Sequence, residues 1–166
     1  MKRIEKSIEI KAPLRTVYDQ WTQFESFPLF MPGVLNVRQM DDRHVFWQVE
    51  VLGREVEWEA EIYEQIPDCL IAWRSILGRP HSGAIFFEPM DDRLTRLRVV
   101  IEYQLQGAAE WLCDWFGAVQ MRVERDLARF RNFIQVGAPQ AEGWRGRIPQ
   151  VEMQLVGIGD EQWTRY

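Results

Sequence analysis

The sequence predicts an α+β domain: a curved antiparallel sheet of about seven strands wrapped around one long C-terminal helix, with two short helices after the first strand. Three observations predict it. Alternation of apolar and polar residues recurs between Val34 and Leu105, punctuated by turn signals at Asp41-Asp42, Gly53, Pro67-Asp68, Gly78-Arg79-Pro80 and Asp91-Asp92. Beyond Gly107 the apolar spacing changes to i, i+3, i+4 and holds as far as Ile134. Between the first strand and the meander, Pro28 and Pro32 forbid one continuous helix in a segment that is otherwise strongly apolar. The chain has 166 residues, 46% of them hydrophobic and 27% charged, enough apolar material to fold around a core of its own.

In chain order, Arg3 to Ile10 reads as a strand that stops at Ala12-Pro13. Pro13 suits the first turn of a helix, and Val17, Tyr18, Trp21 and Phe24 follow at helical spacing. The stretch QFESFPLFMPGV, residues 23–34, then forms at most a second short helix set at an angle to the first. Six strands follow, near Leu35 to Met40, Val45 to Leu52, Glu55 to Ile66, Leu70 to Leu77, Gly83 to Glu88 and Thr95 to Leu105. In EVEWEAEI, Val56, Trp58, Ala60 and Ile62 share one face and four glutamates the other. The same parity puts Leu97, Val99, Ile101, Tyr103 and Leu105 inside, Arg96 and Arg98 outside, and sets Arg74 against inward Trp73 and Ser75. On the long helix, Leu112, Trp115, Val119, Val123, Leu127, Phe130 and Ile134 form the apolar stripe, and Arg122, Arg125 and Arg129 are read onto the opposite face. The helix is expected to end near Gly137 and Pro139, dividing the chain into a domain of residues 1–137 and an extension of residues 138–166.

A strongly curved sheet cannot lie flush on one helix, so a gap is expected between them. The broken apolar stretch is expected to wall it, through Phe27, Phe30 and Met31. Eight tryptophans, a high count for this length, also need something to line. Trp58, Trp73, Phe86, Trp115 and Met121 are candidates for the wall, with plain core as the alternative. Tyr103 is the best polar candidate, its phenol presenting a hydrogen bond to a ligand carbonyl or finding a backbone partner. His81, at the mouth of a strand, is a candidate catalytic group, with loop solvation as the default; Ser75 is a weaker polar candidate.

Other chemistries find little support. The net charge is −5 and no Lys/Arg block occurs, which argues against nucleic acid or an anionic membrane as partner. No apolar run reaches the ~20 residues of a membrane span, and MKRIEKSIEI has no apolar signal core, so a cytoplasmic location is expected. Cys69 and Cys113 lack metal or redox spacing and read as buried thiols, and no metal site is expected. Glutamates two apart on a strand stand ~7 Å from one another, too far to share an ion, and are expected to pair with Arg74, Arg96 or Arg98. GIGDEQ fails the dinucleotide fingerprint, and no cofactor is expected. In the extension, Val151, Met153 and Leu155 alternate with polar residues, a strand pattern expected to dock on the domain or on a second subunit as a homodimer contact, with a flexible tail as the alternative.

The sequence also resembles the START-like, helix-grip superfamily (START/Bet v 1-like fold), and within it the bacterial polyketide cyclase/dehydrase and coenzyme Q-binding group. The resemblance rests on SIEIKAPLRTVYDQWTQFESFPLFMPGVLNV, EVEWEAEIYEQIPDCLIAWRS, GAIFFEP, TRLRVVIEYQ and DLARFRNFI, and reaches to about Ile134. It implies a cavity for a lipid, a quinone or a polyketide. It implies as alternatives a cyclase or dehydrase using that cavity, or an interaction module similar to the ribosome-association toxins.

Overall fold

The computed structural model describes residues 1–104 and 109–150; within residues 109–116 only the helical backbone is described. Strand β1 (Lys2–Ile10) leads into helix α1 (Leu14–Trp21) and a 3₁₀ helix (Phe24–Leu29). The meander follows as β2 (Val34–Gln39), β3 (His44–Val51), β4 (Arg54–Ile66), β5 (Leu70–Leu77), β6 (His81–Asp91) and β7 (Leu94–Tyr103), and then helix α2 (Ala109–Gln135). The seven strands form one antiparallel sheet in the order β1-β7-β6-β5-β4-β3-β2, so the first strand completes the sheet beside the last. β6 begins at His81, two residues before the start expected from sequence, and that sets His81 opposite Tyr103.

Alternation sorts the two faces. On β4, Ala60 and Ile62 are buried while Glu61 faces outward and takes Arg74 at 2.7 Å. Glu55 and Glu57 accept from Gln48, and Arg96 and Arg98 pair with Glu9, Glu5 and Glu88 rather than with the β4 glutamates. The reason is strand order: β7 lies between β1 and β6, so its arginines reach those strands and not β4. Cys69, expected to be buried, is exposed in the β4–β5 turn, where Asp68 takes a positive φ of 61°. Turn geometry outranks the apolar character of the thiol there.

The broken apolar stretch earns its composition through ring packing. Trp21 meets Phe27 at 5.1 Å and Phe130 at 4.9 Å, both edge to face. Pro28 sits inside the 3₁₀ helix, a short element whose run its missing N–H helps to end. On α2, Leu127, Phe130 and Ile134 are buried, and after its end at Gln135 the chain turns at Gly137, whose φ of +97° few other residues adopt without strain. Among the described residues no helix is long and apolar enough to cross a membrane.

Residues 138–150 lie along the domain. Ile148, 4% exposed, exchanges both backbone hydrogen bonds with Gln65 on β4, at 2.8 and 2.9 Å. The Trp144 amide donates to Thr22 Oγ1, and Gln23 Nε2 donates to the Glu142 carbonyl. Arg145 lies over the Tyr18 ring, 2.8 Å from Asp68 and 3.4 Å from Asp19. Burial pushes the Asp19 carboxyl above its usual range, and Arg145 opposes that rise. The strand pattern at Val151, Met153 and Leu155 lies outside the described residues.

Arg145→Ala therefore strips the buried Asp19 carboxylate of one of its two arginine partners, leaving Arg15 at 3.6 Å, and removes the partner of Asp68. A loss of about 1–3 kcal/mol is expected in urea denaturation, the usual range for breaking a partly buried ion-pair network; an unchanged midpoint would show that the segment does not hold to α1.

Candidate ligand-binding cavity

The curvature of the sheet leaves a cavity of about 480 Å³ between sheet and helix. Trp21, Phe24, Phe27 and Met31 close one side from α1 and the turn after it. The sheet contributes inward residues of six strands, β2 to β7, among them Val45, Trp47 and Val49 of β3, Trp58 and Ile62 of β4 and Trp73 of β5. Val119, Val123 and Leu127 close it from α2. Trp47 and Trp58, directly paired across β3 and β4, stack with ring planes 7° apart. Trp73 fits because Gly83 faces it: a Cβ there would stand 2.5 Å from the indole.

Two polar stations interrupt the apolar wall. At the first, His81 and Tyr103 are direct cross-strand partners on β6 and β7, a pairing that holds Cβ atoms ~5 Å apart on one face. His81 sits edge-on to Trp58 at 5.2 Å, and its Nδ1 donates to the Arg79 carbonyl at 2.9 Å. Burial pushes the imidazole below its usual pKa, with that carbonyl opposing the shift, so the ring is held neutral with Nε2 as its acceptor nitrogen. Burial likewise pushes the Tyr103 phenol up to about 12, which keeps its proton in place as a donor.

The second station is on α2. Arg122 donates from Nε to Asp126 at 3.3 Å and from Nη1 to the Glu50 carbonyl on β3, with its guanidinium packed against Gly33. Arg122 is 20% exposed and Asp126 15%, and both line the cavity. Burial raises the Asp126 carboxyl above its usual range, and Arg122 opposes the rise.

The expected site residues divide. Phe27, Met31, Trp58, Trp73, His81 and Tyr103 all border the cavity. Phe30, the C-cap residue that follows the 3₁₀ helix, is buried outside the cavity, stacked on Phe133 at 4.6 Å. Phe86 faces outward beneath the Arg98 guanidinium at 4.2 Å; its neighbours Ile85 and Phe87 take the inward positions. Ser75 holds the β5–β6 turn, accepting from the His81 amide and donating to the Arg79 carbonyl, each at 3.0 Å. Met121 is 61% exposed, two residues off the Val119 and Val123 stripe. The Trp115 side chain lies outside the described residues.

Sequence reasoning missed Trp47, which the alternation of Val45, Trp47 and Val49 carries, and the Arg122–Asp126 pair. The helical spacing puts Arg122 on the face opposite the apolar stripe. It lies instead inside the apolar stripe, at i+3 from Val119, and its i, i+4 acid partner was the available signal.

A curved seven-stranded sheet gripping a C-terminal helix around an apolar cavity defines the START-like, helix-grip class, and known proteins agree. A START superfamily protein from Mycobacterium smegmatis superposes with a TM-score of 0.67 at 16% identity, covering 79% of this chain and 98% of that one. The Zhui aromatase/cyclase from Streptomyces sp. R1128 gives 0.72 at 16%, covering 86% and 99%. At these identities the likeness establishes the fold alone. The profile of the family described as polyketide cyclase/dehydrase and lipid transport matches residues 10–131, and this chain belongs to that family. An uncharacterised 17.2 kDa protein of Streptomyces lincolnensis, from the melC2-rnhH intergenic region, is 38% identical over 149 residues, 89% of this chain and 99% of that one.

His81 sets a pH signature. Its folded pKa lies below the usual 6.5, so the unfolded chain takes up the proton first as pH falls. Stability from neutral His81 is whole above about pH 6.5 and is lost as pH falls through the folded pKa. Urea midpoints of wild type and His81→Gln should diverge between about pH 7.5 and 5, the wild type falling more steeply; parallel curves would place His81 in water.

Proposed function

We propose that the protein binds a small hydrophobic molecule in the cavity, of the size and character of a lipid, quinone or polyketide. The observation that carries this reading is the volume of about 480 Å³, within the range of small-molecule sites and walled by tryptophan, phenylalanine and branched aliphatic side chains. Burial at ~25 cal/mol per Å² of apolar surface supplies the affinity. The family's description, which names both cyclase/dehydrase activity and lipid transport, is consistent with it. The interaction-module alternative asked for a core without a void, and this volume removes the observation that would favour it.

Native mass spectrometry of protein purified from cells, with solvent extraction of bound species, is the direct test. A co-purifying hydrophobic molecule, or quenching of Trp47 and Trp58 emission by an added one, is the expected result. Ala60 lies in the wall and is 3% exposed. Ala60→Phe should weaken binding about tenfold or more by occupying the space, while the folded state persists. Absence of any ligand together with unchanged fluorescence across quinones, fatty acids and aromatic polyketides would overturn the proposal.

A second reading, a cyclase or dehydrase using the same space, is favoured by the His81–Tyr103 pairing. A neutral imidazole with an accepting Nε2 beside a protonated phenol is a base and a donor on one face, suited to drawing a proton from carbon next to a carbonyl that the phenol polarises. Under this reading Tyr103→Phe lowers turnover by one to several powers of ten and leaves binding and melting temperature nearly unchanged. Equal turnover would remove Tyr103 from the chemistry.

A further inference from the structure

The Arg122–Asp126 pair is the least expected feature of the cavity. A guanidinium and a carboxylate in an apolar wall cost more than two aliphatic side chains of the same volume would. Two of the three Arg122 nitrogens are engaged: Nε holds Asp126 and Nη1 holds the Glu50 carbonyl, while Nη2 has no hydrogen-bond partner and is buried against Gly33 rather than open to the cavity. Those contacts fix the guanidinium between α2 and the β2–β3 edge of the sheet and leave it little freedom to meet a ligand.

Asp126 differs. Among the described residues its single hydrogen bond is the one Oδ2 accepts from Arg122, so Oδ1 has no donor, in a residue that lines the cavity and is 15% exposed. An oxygen with free lone pairs in an apolar wall selects for what it lacks, a donor. We propose that Asp126 is a ligand-contacting residue and that the cavity takes a hydrophobic molecule bearing a hydroxyl, whether alcohol, phenol or enol, whose O–H donates to Asp126 Oδ1. Arg122 acts as the positioning residue that holds the carboxylate to this task.

The consequence is selectivity inside the broader reading of a hydrophobic cavity, on which this inference rests. A fatty-acid carboxylate meets a like charge at Asp126, and an acceptor-only carbonyl meets lone pairs with lone pairs. Neither finds a compensating donor in Arg122, whose Nε and Nη1 are engaged and whose unpartnered Nη2 is buried against Gly33. A hydroxyl buried in the same position gains a hydrogen bond to a charged acceptor.

Isothermal titration of the full chain with naphthalene, 1-naphthol and 1-naphthoate tests this with ligands of one shape. The expected order is 1-naphthol tightest, by roughly ten- to a hundredfold over naphthalene, the range of a hydrogen bond to a charged group. Naphthoate should be weaker than naphthol. The double substitution Arg122→Leu with Asp126→Leu removes both charges without stranding either. It should bind naphthalene at least as well as wild type and lose the preference for naphthol. Naphthol no tighter than naphthalene, naphthoate the tightest, or a preference surviving the double substitution would each overturn the hydroxyl subsite while naphthalene binding still upheld the cavity. If none of the three binds, the cavity reading itself fails and takes this inference with it.

Discussion

The structure depends on a mismatch of shape. An antiparallel sheet of seven strands that brings β1 round beside β7 is curved, whereas α2 is a single helix of 27 residues, and the two make full contact only where the curve approaches the axis. At the C-terminal half of α2 they do, and Leu127, Phe130 and Ile134 are buried there. Towards Val119 they separate, and the inward side chains of β3, β4, β6 and β7 face space. The aromatic packing of α1 and the 3₁₀ helix follows from the same mismatch. A wedge of rings, Trp21 against Phe27 and Phe130, fills the region where sheet and helix begin to part.

The mismatch was legible in the sequence because it is written in periodicity. Two-residue alternation put Trp58 and Tyr103 on the inner face, and the structure places both there. The same rule, applied more loosely to GAIFFEP, chose Phe86 when only Phe87 has inward parity. The errors on helical segments have a different origin. Apolar content alone suggested Phe30 and Met121, but Phe30, at the C-cap after the 3₁₀ helix, stacks on Phe133, and Met121 stands off the stripe. Charge misled in the opposite direction. Arg122 read as solvated because arginines are mostly exposed, yet a long stem and a partner four residues on let it enter the wall. Ser75 was read for its hydroxyl, which the β5–β6 turn consumes.

The two polar stations belong to different kinds of element, and that difference gives them different physical roles. His81 and Tyr103 stand on paired strands, where register fixes their separation whatever occupies the cavity. The Asp126 carboxylate stands on a helix, and its placement depends on Arg122 tying that helix to the Glu50 carbonyl and to the Gly33 backbone. A ligand long enough to touch both stations would therefore be gripped by one rigid pair and one pair that moves with α2. Any opening of the helix away from the β2–β3 edge must break the contact of Arg122 with the Glu50 carbonyl, while the Arg122–Asp126 pair, both members of which stand on α2, travels with the helix. The carboxylate and the arginine that positions it therefore keep their own geometry, and the spacing between the two stations is set by how closely α2 sits on the sheet.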